Sequence, residues 1–106
     1  MAGSGDLGNL LKQAQKMQRE MDLARAEIAE LTIEGSAGGG GARVEVDGDG
    51  GVKAIHLSKE ALESGDAGAV EDLVLAALRD AQTRAAQMKR ERLAQVTGGM
   101  DLPGLF

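Results

Sequence analysis

The sequence predicts an α+β fold in which two long helices flank a short three-stranded antiparallel β-sheet. Three observations carry that prediction. Apolar residues recur at steps of three and four up to about residue 31, a glycine-punctuated stretch of β character runs to about residue 57, and helical spacing then returns up to about residue 96. No stretch of linker composition separates them. Residues 1–106 are therefore expected to form one domain, with 1–6 and 97–106 as flexible or tail segments.

In the first helix, Leu7, Leu10, Ala14, Met17, Met21, Ala24, Ile28 and Leu31 form an a/d stripe that persists for more than three heptads. Such a stripe asks for a partner helix, from the same chain or from a second subunit. Asp6 is a candidate N-cap, and Gly8 weakens the first turn, so the firm helix is expected to start near Asn9. The middle region reads as strands over residues 32–35, 42–47 and 52–57, separated by the glycine run 38–41 and by Gly48-Asp49-Gly50-Gly51. Alternation is clean in the second strand, where Val44 and Val46 should face the core and Arg43, Glu45 and Asp47 the solvent. The second glycine cluster supplies the positive φ angles of a tight turn, making strands two and three an antiparallel hairpin. After a polar connection over residues 59–68, Val70, Leu73, Val74, Ala77, Leu78, Ala81, Ala85 and Met88 mark the second helix. Glu71 and Asp72 suit its positive end, and Gly98-Gly99 should stop it before the tail MDLPGLF.

Composition excludes several function classes. The chain has no cysteine, so disulfides, thiolate metal sites and thiol nucleophiles are absent, and a cytoplasmic location is expected. No apolar run approaches the roughly 18 residues of a membrane span, and the N-terminal MAGSGDLGN lacks the pattern of a signal peptide, so no membrane partner is expected. His56 is the only histidine and has no partner suggested by spacing, which leaves no catalytic residue to name. Asp47 and Asp49 fail the EF-hand pattern at Gly51 and Ser58, and the run 38–41 lacks the Gly-Lys-Ser/Thr of a phosphate loop. Neither a metal nor any other cofactor is expected.

Charge placement says more. The first helix carries Lys12, Lys16 and Arg19 in its N-terminal half and Glu27 and Glu30 near its C-terminus, the reverse of what the macrodipole favours. In the second helix, Arg84, Lys89, Arg90 and Arg92 gather toward the C-terminus, where dipole stabilisation alone would put them. If the helices pack antiparallel, residues 7–19 lie beside residues 84–95. Together those stretches hold seven cations against the single anion Glu91, a local charge of +6 in a chain whose net charge is −5, leaving −11 elsewhere. A Debye length of about 8 Å lets such a local charge attract phosphate in spite of an acidic total. A solvated charged face with no partner explains the same residues if no ligand exists.

The stretch Gly8-Asn9-Leu10-Leu11-Lys12-Gln13-Ala14-Gln15-Lys16-Met17-Gln18 resembles the first helix of the YbaB/EbfC family of nucleoid-associated proteins. Also similar are the glycine run before Val44-Glu45-Val46, the hairpin from Asp47-Gly48 to Val52, the Glu71-Asp72-Leu73 helix start, and the closing Thr97-Gly98-Gly99-Met100-Asp101-Leu102-Pro103-Gly104-Leu105-Phe106. The sheet loops depart from the family pattern in their extended glycine and alanine content. The resemblance implies an α-β-β-β-α protomer, a homodimer with projecting helical arms, and binding of double-stranded DNA in the bacterial nucleoid, with no catalytic residues to carry over. DNA contacts are assigned by the charge argument: Lys12, Lys16 and Arg19 first, then Lys89, Arg90 and Arg92, with Arg84 added. With Phe106 as the sole aromatic there is no stacking platform for single strands, so phosphate contacts to duplex DNA with weak sequence preference are expected. The rival reading is a chaperone-like adaptor in which Met17, Met21 and Met88 grip client proteins. A third makes residues 102–106 a docking peptide for replication or recombination proteins.

Overall fold

The computed structural model describes residues 4–98, and these form helix α1 (Ser4–Ala29), strands β1 (Ile33–Ala37), β2 (Ala42–Val46) and β3 (Val52–Leu57), a short helix α2 (Lys59–Glu63) and helix α3 (Ala67–Val96). The sheet is antiparallel throughout, in the order β1-β2-β3. The predicted α+β architecture is therefore present, elongated to 77 × 20 × 16 Å. No helix among the described residues is long and apolar enough to cross a membrane.

One core lies between α3 and the sheet. Ala77, Ala81 and Ala85, one turn apart, are buried against Ile33, Ala42, Val44 and Val46. Side chains this small bring the helix backbone down onto β1, where a Cβ on Gly35 would lie 2.2 Å from the Ala81 nitrogen and 2.6 Å from the Ala77 oxygen. Gly35 thus belongs inside a strand, although glycine usually punctuates one. This explains why β1 runs to Ala37 instead of stopping at residue 35.

A second, smaller core lies between the helices. Met21 and Ile28 of α1 bury Leu93 of α3, with Ala24, Leu31 and Val96 partly buried around them. The lower half of the heptad stripe is thus an intramolecular seam. It is pinned by the β2–β3 turn, where the Gly48 N–H donates to the Ile28 carbonyl at 3.0 Å and a Cβ on Gly48 would sit 2.2 Å from that oxygen. The turn is held by Asp47, whose Oδ1 accepts from the N–H groups of Asp49 and Gly51 at 2.9 Å each, with Gly50 at φ +87°.

Several boundaries differ from expectation. Helix α1 starts at Ser4, so Asp6 lies in its first turn and is not its cap, and residues 4–6 are helical instead of a tail. The connection over residues 59–68 contains α2, capped by Ser58 Oγ accepting from the Ala61 N–H at 3.0 Å. Helix α3 begins at Ala67 behind an Asp66 cap that accepts from the Ala69 N–H at 3.1 Å. Glu71 and Asp72 therefore fall beyond the first turn, and Asp66 satisfies the helix start.

Candidate nucleic-acid interface

Most polar groups around the sheet are committed to holding it. His56 Nε2 donates to Glu45 Oε2 at 2.6 Å. That hydrogen bond, with the positive charges of Arg43 and Lys53 nearby, lowers the Glu45 pKa below the ordinary carboxylate range. Asp80 accepts the Ser36 N–H at 3.0 Å and the Arg84 Nε–H at 3.1 Å, and both contacts lower its pKa in the same order of importance. Its first contact satisfies an outward-facing donor of the edge strand β1. Lys89 Nζ lies 2.7 Å from Asp49 Oδ1, fastening α3 to the hairpin turn. Among the described residues no group of three or more metal-ligating side chains occurs.

The seven cations assigned from sequence therefore fall into two sets. Arg84 pairs with Asp80, Lys89 with Asp49, and Arg92 with Glu27 at 3.9 Å. The first two are close pairs that neutralise acids of the protein itself, while the Arg92 contact is as long as that of Lys16 with Glu20 and likewise open to solvent. Lys12 and Arg19 on α1 and Arg90 on α3 are exposed and have no ion-pair or hydrogen-bond partner among the described residues. Lys16 makes only a 3.9 Å contact to Glu20, both side chains being largely in solvent, and an exposed pair of this kind holds a lysine weakly. Lys12, Lys16 and Arg19, spaced by four and three, share one face of α1, roughly opposite the apolar stripe. Arg79, missed by the charge argument, is exposed on α3 and likewise without a partner among the described residues. Three helical turns separate it from Arg90, so both share one outward line, a spacing the sequence already carried.

The helices are antiparallel, but their register corrects the expected juxtaposition. The end of α3 does not reach residues 7–19. Arg92, Gln95 and Val96 line a groove of about 280 Å3 with Glu20, Leu23, Ala24 and Glu27, so α3 closes on the second half of α1. Residues 4–17 run on past this seam for about 20 Å at 1.5 Å per residue. The basic stretches accordingly follow one another along a rod instead of meeting at one end. Nor does the dipole explain the cations of α3, because its last turn holds no basic residue and its first turn no acidic one. The sequence-predicted docking peptide at 102–106 lies outside the described residues.

A glycine-tight sheet that carries long helices, one of them bearing unpaired cations on a projecting segment, defines a surface-binding module with helical arms. The chain belongs to the YbaB/EbfC DNA-binding family, whose model matches residues 3–100. It is 39 % identical over 106 residues to a nucleoid-associated protein of Alkaliphilus metalliredigens, covering 100 % of this chain and 93 % of the relative. A nucleoid-associated protein of Acetivibrio thermocellus is 41 % identical over 103 residues, covering 96 % of this chain and 91 % of that one. In fold the chain resembles the crystal structure of an uncharacterized protein from Helicobacter pylori, with a TM-score of 0.68 at 23 % identity over 93 % of this chain and 100 % of the other.

Proposed function

We propose that this protein is a nucleoid-associated protein that binds duplex DNA through phosphate contacts, with weak sequence preference, and that it does so as a homodimer. The observation that carries the reading is the trio Lys12, Lys16 and Arg19, exposed on the N-terminal part of α1, the first two on the segment that projects past the seam, with Lys12 and Arg19 lacking a partner among the described residues. A cation that neutralises no acid of its own is available to replace the counterions of a phosphate. Arg90 and Arg79 extend the surface along α3, whereas Arg84 and Lys89 must first leave a carboxylate and contribute less, and Arg92 is held only by a 3.9 Å contact beside the seam.

Dimerisation is supported by the contrast between the sheet edges. At β1, Asp80 occupies the Ser36 N–H. At β3, Val52, Ile55 and Leu57 share the core face with Val46, Val44 and Ala42 yet stay 51 %, 52 % and 36 % exposed. A second copy laid along β3 would cover them and pair its free backbone groups. Two copies then present two cationic arms.

The test is a titration of a fluorescent duplex at several salt concentrations. Binding should weaken steeply with salt, and the Lys12, Lys16, Arg19 triple-alanine variant should flatten the log–log salt slope by about 2–3 per arm engaged. Absence of binding at low salt by the native protein would refute the proposal. A chaperone-like reading is favoured by one observation, the 59 %, 62 % and 57 % exposure of Leu7, Leu10 and Leu11 on the arm. Met21 is spent in the seam, however, and such a grip would persist at high salt.

A further inference from the structure

Arg79 and Arg90 of α3 are three helical turns apart and so stand on one outward line, with Thr83 and Ala86 between them. All four are exposed, and the opposite face of the same turns buries Ala81 and Ala85 against the sheet. We propose that this stretch of α3 lies across the major groove of B-form DNA, Arg79 holding a phosphate of one strand and Arg90 a phosphate of the other. The inference rests on the duplex-binding reading and adds to it a groove and the pair of residues that select it.

Spacing is the first argument. At 1.5 Å per residue the two arginines are about 16 Å apart, and both side chains lean toward the N-terminus of the helix, so their guanidinium groups keep that separation. The major groove of B-form DNA is about 12 Å wide and the minor groove about 6 Å; allowing about 5 Å for the phosphate groups, facing phosphates stand roughly 17 Å and 11 Å apart. The arginine interval matches the first and not the second. Rigidity is the next argument. Between the arginines α3 is held from beneath by Ala81 and Ala85, and at its flank the Gln82 side chain donates to the Gly50 carbonyl at 3.1 Å. The interval is therefore set by the fold and not by a free arm. Chemistry is the third. A guanidinium fork takes two phosphate oxygens at once, and the neighbouring carboxylates are engaged elsewhere. Asp80 accepts the Ser36 N–H and the Arg84 Nε–H, and Glu91 accepts from the Gln87 side-chain amide at 3.3 Å. Thr83 and Ala86, with Gln87, Arg90 and Glu91, line a shallow depression of about 450 Å3. Their side chains are too short to read base edges from the groove mouth, so the contact carries little sequence information.

The test compares two fluorescent duplexes of one sequence at low salt, one plain and one carrying 5-glucosyloxymethylcytosine in place of cytosine, a group that projects into the major groove and fills it. The native full-length protein, giving up its two cross-groove phosphates, should bind the filled duplex at least about threefold more weakly. An Arg79→Thr, Thr83→Arg exchange keeps charge and composition and alters only exposed positions, but it shortens the interval to about 10 Å, close to that of the minor groove. This variant should bind the two duplexes alike. Equal binding of both duplexes by the native protein, or a native preference kept by the exchange variant, would overturn the inference while leaving duplex binding intact. Binding of neither duplex by the native protein would remove the duplex-binding reading itself, and this inference with it.

Discussion

Met21 and Ile28, at the base of α1, are 5 % and 1 % exposed, whereas Leu7 and Leu10, on the same stripe toward its tip, are 59 % and 62 % exposed. Spacing and residue types barely change between the two halves. What changes is the neighbour: α3 reaches only the base, because Gly48 pins the C-terminus of α1 to the hairpin and the alanines of α3 fix it on the sheet. A heptad stripe therefore states which face must be covered, not what covers it. The charged residues divide along the same line. At the base, Lys89 neutralises Asp49 and Arg92 lies 3.9 Å from Glu27, while toward the tip Lys12 and Arg19 have no partner among the described residues.

The largest expected effect comes from breaking the base. Leu93→Ala removes a fully buried side chain from the seam and should cost about 2–5 kcal/mol in urea unfolding, whereas Leu10→Ala at the tip should cost less than about 1 kcal/mol. Comparable losses would mean that the halves are packed alike. Next comes the pin. Gly48→Ala drives a Cβ against the Ile28 carbonyl oxygen and should cost about 1–3 kcal/mol, with faster amide exchange at the end of α1. A neutral result would show that the turn does not set the register.

A smaller effect concerns pH. Because the folded-state pKa of Asp80 is lowered by the Ser36 N–H and Arg84, its contribution to stability is full above the ordinary carboxylate range and is lost as pH falls through the lowered value. Asp80→Asn should therefore be less stable than the native protein at neutral pH, and the gap should narrow as pH falls below the ordinary carboxylate range. A gap that widened in acid would contradict that assignment.

Much of the fold was legible because it rests on local pattern. Val44 and Val46 alternate inward, β3 spans the residues expected, and α3 ends where Gly98 turns the chain. Other features depend on what a residue meets far along the chain. Gly35 reads as a break until the backbone of α3 is seen lying on it, and α2 is too short for periodicity, leaving only the Ser58 cap as its signal. At the candidate site the cations were visible but their partners were not, since Lys89 and Asp49 are 40 residues apart. Arg79 sits in mid-helix, where charge placement relative to the helix ends gives no signal.

Salt-dependent DNA titration of two triple-alanine variants bears most directly on the claim that binding lies in the unpaired or weakly paired cations of α1: Lys12, Lys16 and Arg19 are replaced in one, Arg84, Lys89 and Arg92 in the other. The two remove equal charge, so a long-range field would weaken both alike. The expected result is a salt slope flattened by about 2–3 per arm in the first variant and by less than about 1 in the second. Equal flattening in both, or a larger loss in the second, would contradict it.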